Sequence, residues 1–326
     1  MTARALRLAL TVLVTGACVA YLAWKIDLSH TGDVLADANP GLFALAAAIM
    51  VVTTVPMAWR WQLLLAVKGV REPLSWLTRT YFVAYSANQV LPTSLGGDAV
   101  RVVETARRHP GRAGLITGTV VLDRALGGIA TVGLAAIGFV LALGRYDIGA
   151  YLWMEAAFVT GAGVLGFLAF SARARRSLAW LAPLLDRVRL ERSLRAVYEG
   201  IHSYRSEGRL LLALALATLA LQAVRILPVW LVARAVDIDL SVRPFYVMGP
   251  VLFFVLLFPF TINGFAVREA FFVSFLGQLG VAAEPAFAAG FLFFLVTVVM
   301  ALPGLGILLW EGARGAPRPG IRRAPG

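Results

Sequence analysis

The sequence predicts an all-α membrane protein with several spans, and three observations support that prediction. Of its 326 residues, 60% are hydrophobic and only 15% are charged, whereas a soluble domain has about 25% charged residues. Six apolar stretches are long enough to cross a bilayer as helices, which takes at least about 17 residues. The charges between them are uneven, with 30 Lys and Arg against 18 Asp and Glu and a formal net charge of +12. This composition argues against a soluble enzyme and against a disordered chain.

The six full spans are expected at residues 6–24, 41–66, 114–143, 148–170, 210–236 and 286–310. The first is expected to be a retained helix and not a signal peptide, because its apolar run is long and no small-residue cleavage site precedes Lys25. Basic residues concentrate near the N-terminus, in 67–79, 101–112 and 171–209, and in the tail 313–326. By the positive-inside rule we expect a plasma (inner) membrane protein with both termini and the 171–209 loop in the cytoplasm.

This orientation signal explains most of the net positive charge, so no nucleic-acid partner is expected. The 171–209 loop is either an amphipathic helix lying on anionic lipid or a plain basic loop. The tail 313–326 is expected to be a basic, Pro/Gly-rich cytoplasmic segment. Cys18 stands alone, and the three histidines lie in three separate polar stretches. We therefore expect no disulfide, no metal site and no cofactor.

Two apolar segments, 81–101 and 250–269, are interrupted by Pro and Gly and share a pattern. Each has Pro, four residues, Gly, one residue and then Ala-Val-Arg, and the second follows the first by 167 residues. Each half of the chain then consists of two spans, an interrupted segment and one more span, which predicts an inverted-topology repeat. We expect one transmembrane domain over 1–312, with repeats at about 1–145 and 146–312 and two re-entrant or broken hairpins. The alternative is eight spans, with 245–262 and 265–281 each crossing.

The interrupted segments predict a site for an anion. Pro92 and Pro259 end one helix, and Gly97 and Gly264 permit a tight turn before the next. A new helix would then direct its N-terminal N–H groups, together with a nearby Arg, at the membrane centre, where the dipole favours an anion. The candidate substrate-binding residues are Asn88, Gly96, Gly97, Arg101, Asn263, Gly264, Arg268 and Arg225. The alternative is two kinked helices whose Pro and Gly serve packing alone.

Ionisable residues within spans are costly and suggest function by default. The candidates for coupling or ion pairing are Asp98, Glu104, Asp123, Arg124 and Glu269. Adjacent residues of one helix point about 100° apart, so we expect Asp123 to pair with Arg101 and Arg124 to pair with Glu104. Structural ion pairing between helices is the alternative role for this set. Arg60 lies between two Trp residues, and its side chain is expected to extend to the membrane interface.

Four stretches of the chain resemble a known family. They are Trp59-Arg-Trp-Gln-Leu-Leu64, Asn88-Gln-Val-Leu-Pro-Thr-Ser-Leu-Gly-Gly-Asp-Ala-Val-Arg101, Val121-Leu-Asp-Arg124 and Pro259-Phe-Thr-Ile-Asn-Gly-Phe-Ala-Val-Arg-Glu269. The sequence resembles the flippase-like membrane proteins related to the transmembrane region of lysylphosphatidylglycerol synthase. The resemblance implies a lipid-translocase-like fold, often found beside enzymes that build glycolipids, aminoacyl-lipids or hopanoids. The soluble aminoacyl-transfer domain of the full synthases is not expected here.

These observations favour a lipid flippase that moves an anionic phospholipid or lipid-linked intermediate across the bilayer, and not an enzyme. In this hypothesis Arg101, Arg268 and Arg225 bind the phosphate through charge-assisted hydrogen bonds. The alternative is an integral-membrane transferase, or a non-transporting accessory subunit, in a pathway that makes glycolipids, aminoacyl-lipids or hopanoids. Either way the expected partners are an anionic membrane lipid and enzymes of lipid synthesis.

Overall fold

The structure is a computed structural model that describes residues 15–90, 96–144, 146, 149–170, 204, 207–257, 264 and 266–313. Within these residues it contains helices and connecting turns, with no strand. Residues 15–25 are helical. The helices that follow are α1 (Leu28–Ala36), α2 (Pro40–Val52), α3 (Thr54–Val67), α4 (Leu74–Val90), α5 (Gly96–Arg108), α6 (Ala113–Ala142), α7 (Gly149–Phe170), α8 (Gly208–Ala235), α9 (Phe245–Leu257), α10 (Val267–Gly277) and α11 (Ala283–Ala313).

In the described part of the chain, four helical segments are long and apolar enough to cross a membrane. They are Pro40–Val67 (α2 with α3), α6, α8 and α11, and each coincides with a span expected from the sequence. The side chain of Asn39 caps the first of them by accepting hydrogen bonds from the backbone N–H groups of Gly41 and Leu42. Helix α7 has 22 residues and coincides with the expected 148–170 span. The prediction of an all-α polytopic membrane protein is therefore confirmed.

Both interrupted segments are pairs of shorter helices. Helices α4, α5, α9 and α10 have 17, 13, 13 and 11 residues, or about 26, 20, 20 and 17 Å at 1.5 Å per residue. All four are shorter than the roughly 30 Å hydrocarbon core. Helix α4 packs against α5, and α9 packs against α10. These lengths favour two hairpins over the eight-span alternative, in which 245–262 and 265–281 each cross, and the number of spans stays a prediction.

Packing between the two halves of the chain occurs in matched pairs. Under the predicted repeat, α4 and α5 correspond to α9 and α10, and α6 corresponds to α11. Helix α4 packs against α11, and α9 packs correspondingly against α6. Helix α5 packs against α6 as α10 packs against α11, and α2 packs against α8. Each hairpin thus contacts the last long helix of the other half, as halves related by a two-fold axis would. The repeat and its boundaries stay a prediction.

Two clusters of buried apolar side chains surround the polar residues of interest. One consists mainly of residues from α2, α6 and α8–α11, and includes Phe245, Phe272 and Phe275. The other is built around Trp61 and Leu64 of α3, with contributions from α4, α6 and α8. The buried charged residues of α3, α5 and α6 lie beside this second cluster.

Candidate functional site

A buried carboxylate on α6 is the centre of the largest polar cluster in the described residues. Asp123 is 2% exposed, and its two oxygens accept hydrogen bonds from three helices. Arg60 Nε on α3 donates to Oδ1 over 2.8 Å. Arg101 Nη2 on α5 and the Tyr81 hydroxyl on α4 donate to Oδ2 over 3.0 and 2.9 Å. The expected contact between Asp123 and Arg101 is therefore present, and it joins α3, α4, α5 and α6 at one point.

Arg60 is part of this cluster, so the prediction that its side chain extends to the interface is wrong. Its Nη1 donates to the Thr218 hydroxyl on α8 over 2.9 Å, and its Nη2 faces the Asp123 carbonyl oxygen at 3.4 Å. Three acceptors and the charge of Asp123, which Arg60 shares with Arg101, offset the desolvation of the guanidinium. The available sequence signal was Asp123 itself, because a carboxylate at membrane depth requires cations from neighbouring helices.

The Arg101 guanidinium is enclosed by aromatic rings. Its Cζ lies 4.2 Å from the centroid of Trp61 and 4.1 Å from that of Tyr81. The Trp61 ring is fixed in turn by its Nε1, which donates to the Thr119 hydroxyl over 3.0 Å. Arg101 Nη1 also donates to Asp98 over 3.3 Å. Among the described residues, Arg101 is thus surrounded by two carboxylates and two rings and forms internal ion pairs, and its role in substrate binding stays a prediction.

Arg124 contacts Asp98, whereas the sequence led us to expect Glu104. Glu104 lies instead near Arg79 and Arg107, at 3.6 and 3.8 Å. The reason is depth in the membrane. Arg124 is 11 residues, about 17 Å, from the start of α6, whereas Glu104 lies near the end of α5 that connects to α6. Asp98, in the first turn of α5, lies at the depth of Arg124.

At the start of α5, the backbone approaches α4 closely. The Gly97 N–H donates to Asn88 Oδ1 over 2.6 Å. A Cβ at Gly97 would lie 2.8 Å from the Ala84 carbonyl oxygen and 2.7 Å from the Asn88 amide. Gly97 therefore lies within α5, where its lack of a side chain allows close contact with α4. It does not form the expected tight turn. Gly96 is buried at the same point. Asn88 accepts a hydrogen bond from an N–H group at the start of α5 that the sequence led us to assign to the substrate anion.

The second hairpin shows a similar arrangement. Gly264, with φ of 73°, and Ala266, with φ of 64°, form the turn before α10. Arg268 Nη2 and Nε donate to Glu269 Oε1 over 2.7 and 3.0 Å, and Arg268 Cζ lies 4.8 Å from the Phe294 ring centroid. Both arginines of the repeat are thus held by a carboxylate and an aromatic ring. Asn263, Pro92 and Pro259 lie outside the described residues.

Arg225 differs from these arginines. Its Nη1 donates to the Thr53 hydroxyl over 3.3 Å and lies 3.2 Å from Met57 Sδ. The Tyr85 hydroxyl contacts the same sulfur at 3.3 Å, and the Tyr85 ring lies 6.1 Å from the Tyr81 ring. Among the described residues, no carboxylate forms an ion pair with Arg225. It is therefore a cation at membrane depth, near the Asp123 cluster, without an acidic partner in the part of the chain whose structure is given.

No group of three His, Cys, Asp or Glu side chains that could hold a metal ion occurs in the described ranges. The Asp123 cluster consists of one carboxylate shared by two guanidiniums, with a further carboxylate on Arg101. Such a set can hold helices together through ion pairs. Arg225, which lies outside this set, has the chemistry to bind an anion.

Comparison with known proteins gives two matches. The sequence profile of the lysylphosphatidylglycerol synthase transmembrane region matches residues 6–304. Glycosyltransferase AglD of Haloferax volcanii is 37% identical over 191 residues, which cover 51% of this chain and 30% of that protein. The chain thus matches less than a third of the length of this curated relative.

The second match corrects one prediction. Because the relative is named as a glycosyltransferase, an enzyme, the prediction that this chain is not an enzyme is wrong. The membrane-protein prediction is confirmed by the apolar helices and by the profile match over nearly the whole chain. The chain is a multi-pass membrane protein that belongs to the family of the lysylphosphatidylglycerol synthase transmembrane region.

Proposed function

We propose that this chain is the membrane-embedded part of a transferase system that acts on a membrane lipid, in which it binds the anionic head group of the lipid substrate. Two similarities support this choice over a transporter. The family is named after a synthase whose product is an aminoacylated phospholipid. The relative from Haloferax volcanii is named as a glycosyltransferase. Both names describe group transfer, and the first describes transfer to a lipid.

The observation that supports head-group binding is the guanidinium of Arg225, which forms no ion pair with a carboxylate among the described residues. It is the eighteenth residue of the 28-residue α8, about 5 Å from the midpoint of that helix. Helix α8 is the least buried of the four long apolar segments, so lipid can approach it. A cation at this depth is costly unless it is paired. A phosphate would pair with it through charge-assisted, bidentate hydrogen bonds, assisted by the Thr53 hydroxyl.

In this proposal the Asp123 cluster positions the site. Arg60 and Arg101 both bind Asp123, and Arg101 contacts Asp98 as well, so carboxylates already balance the charge of both guanidiniums. Their role is to hold α3, α4 and α5 against α6, which fixes Met57 and Tyr85 beside Arg225. Arg268 has the same structural role in the second hairpin through Glu269. The phosphate-binding role that the sequence suggested for Arg101 and Arg268 is thus assigned to Arg225 alone.

The transferase role is tested in membranes of the native host. Membrane vesicles from a strain lacking the chain are supplied with radiolabelled nucleotide sugars or aminoacyl-tRNA, and the lipid extract is analysed for label. We expect one labelled lipid to be absent and to return with the wild-type chain. It should return with Arg234→Gln, which alters an arginine near the end of α8 that pairs with Asp239 beyond the helix, but not with Arg225→Gln. Identical labelled lipids with and without the chain would contradict the proposal.

A second candidate function is translocation of the lipid, and the matched packing of the two hairpins favours it. Each hairpin contacts the last long helix of the other half, so a movement of one hairpin would be transmitted to both halves. This candidate predicts transbilayer movement of a labelled anionic lipid in liposomes that contain only the purified chain, without any sugar or aminoacyl donor. Movement no faster than in protein-free liposomes would exclude it.

The domain organisation, membrane location and orientation of the chain are also proposals. We propose one transmembrane domain over 1–312 with its two repeats, a basic tail over 313–326, and a plasma-membrane location with both termini in the cytoplasm. The expected partners are enzymes that synthesise lipids. Reporter fusions at each terminus test the orientation, and copurification from native membranes tests the partnership.

A further inference from the structure

Glu155 on α7 is a buried carboxyl for which the proposed function has no use. It is 0% exposed, and neither of its oxygens has a hydrogen-bond partner within the described part of the chain. Asp123, Asp98 and Glu269, by contrast, each contact at least one arginine. An ionised carboxylate without partners in an apolar interior is prohibitively costly, whereas the protonated acid is not. The geometry therefore requires the neutral acid.

The elements packed against α7 bring no compensating cation to Glu155 in the described ranges. Helix α7 packs against α6 and α9, and its Tyr151 also contacts Ser274 and Phe271 of α10. The charged residues of α10, Arg268 and Glu269, pair with each other. Helix α9 has no charged residue, and its titratable residue is Tyr246. The charged residues of α6, Asp123 and Arg124, lie about 18–20 Å farther along the antiparallel pair. Tyr151, on α7 itself, is the titratable group nearest in sequence.

Polar side chains of α7 and α10 lie one helical turn before Glu155. Tyr151 lies one helical turn before Glu155 on the same face of α7, and side chains on a helix lean toward its N-terminus. The Glu155 carboxyl is therefore directed toward the Tyr151 turn. The Tyr151 hydroxyl donates to the Ser274 hydroxyl on α10 over 2.5 Å.

Ser274 also lines a cavity of about 290 Å³ between the helical residues 15–25 and α10. Its other polar lining residues are Tyr21, Lys25 and Gln278. Two further titratable groups belong to the same elements: Cys18 in the 15–25 helix, and Glu269, which binds Arg268 on α10. This cavity lies on the side where the sequence places the loops poor in basic residues. The Tyr151 hydroxyl, which donates to Ser274, connects the lining of this cavity to the turn of α7 that precedes Glu155.

We propose that Glu155 is a proton-binding site, loaded through this cavity by way of Ser274 and Tyr151. The proton passes from the cavity through the Ser274 and Tyr151 hydroxyls. Because neither Glu155 oxygen is hydrogen-bonded in the described residues, a side-chain rotation or an entering water completes the last step. The site is independent of the anionic lipid, because Arg225 lies on α8 and contacts α2 and α3. Loss of the lipid function would therefore leave the proton site intact. Loss of the proton site would likewise leave lipid binding intact.

Infrared spectroscopy of the purified full chain in nanodiscs tests the proposal directly. At pH 7, well above the ordinary glutamate pKa of about 4.3, the wild type should show the C=O stretch of a protonated carboxyl. Glu155→Gln, which is isosteric with the neutral acid and so preserves packing, should lose that band. Glu207→Gln removes an exposed carboxylate at the start of α8 and should keep it. A band that is absent from the wild type, or that persists in Glu155→Gln, overturns the proposal.

The route is tested with a hydrophobic carbodiimide, which adds to protonated carboxyls, in proteoliposomes of one orientation. Modification of Glu155, read by mass spectrometry, should fall when the pH is raised on the side of the cavity. It should be unaffected when only the opposite side is made alkaline. Modification that follows the opposite side would refute the route, and an unmodified Glu155 would refute the site.

Discussion

Removing the negative charge at Asp123 is expected to destabilise the fold more than any other single charge change in the described residues. Asp123→Asn keeps the shape of the side chain and one acceptor oxygen, but it removes the counter-charge of Arg60 and Arg101. Arg101 keeps Asp98 at 3.3 Å, so the loss is concentrated at Arg60. Its remaining partners are the neutral Thr218 hydroxyl and the Asp123 backbone carbonyl. One orphaned buried charge costs about 3–5 kcal/mol.

The assay is reversible unfolding in mixed micelles of mild detergent and dodecyl sulfate, which gives the free energy of unfolding. The matched control is Asp239→Asn, whose side chain is 93% exposed and pairs with Arg234 at the surface. Such a pair contributes at most about 1 kcal/mol. The double variant Arg60→Met/Asp123→Asn should recover much of the loss, because an apolar replacement removes the orphaned charge. If Asp123→Asn and Asp239→Asn have the same unfolding free energy, the cluster does not hold the helices together and the reasoning fails.

Two further predictions concern packing and pH. Gly97→Ala should destabilise the protein by about 1–3 kcal/mol, since its Cβ would lie 2.8 Å from the Ala84 carbonyl oxygen; Gly118→Ala, with nothing within 4 Å, should be neutral or stabilising. The same unfolding assay measures both, and equal effects would contradict the close contact. Burial raises the pKa of Tyr204, whose hydroxyl donates to the Leu64 carbonyl over 2.7 Å. Its contribution is therefore complete below the unfolded-state pKa of about 10 and is lost as the pH rises further. Tyr204→Phe should cost about 0.5–1.5 kcal/mol at neutral pH and lessen the alkaline loss, which unfolding at several pH values would show.

The long helices could be predicted from the sequence because a bilayer imposes a simple rule on length and composition. The spans expected at 41–66, 114–143, 210–236 and 286–310 agree with helices of the structure within a few residues at each end. The interruptions were also predictable, since Pro and Gly in an apolar run break helices for local reasons.

The partners of the charged residues were less predictable, because they depend on which helix faces meet. Asp123 had to find a cation, and Arg101 was expected from the repeat. Arg60 was missed because a position beside Trp59, near a helix end, is also typical of an interfacial arginine. Arg124 was matched to Glu104 because sequence spacing does not give the relative depth of two antiparallel helices.

Other parts of the site depend on tertiary contact alone. Arg101 stacks on Trp61 and Tyr81. The residue spacing within α5 cannot predict contacts with aromatic rings that belong to two other helices. The isolation of Glu155 likewise depends on what α6 and α9 present to it. Composition predicted that charged residues would lie in the membrane, whereas the structure shows which of them are neutralised and which are not.

The most direct test of the account is the binding of a lipid phosphate to the purified chain. Polyprenyl phosphate is titrated into the chain in nanodiscs of zwitterionic lipid, and bound lipid is counted by native mass spectrometry. We predict that Arg225→Gln weakens binding about tenfold, equivalent to about 1.4 kcal/mol, whereas Arg234→Gln on the same helix binds as the wild type does. Equal affinity of the wild type and Arg225→Gln would contradict the central claim, that an uncompensated arginine at membrane depth receives the lipid head group.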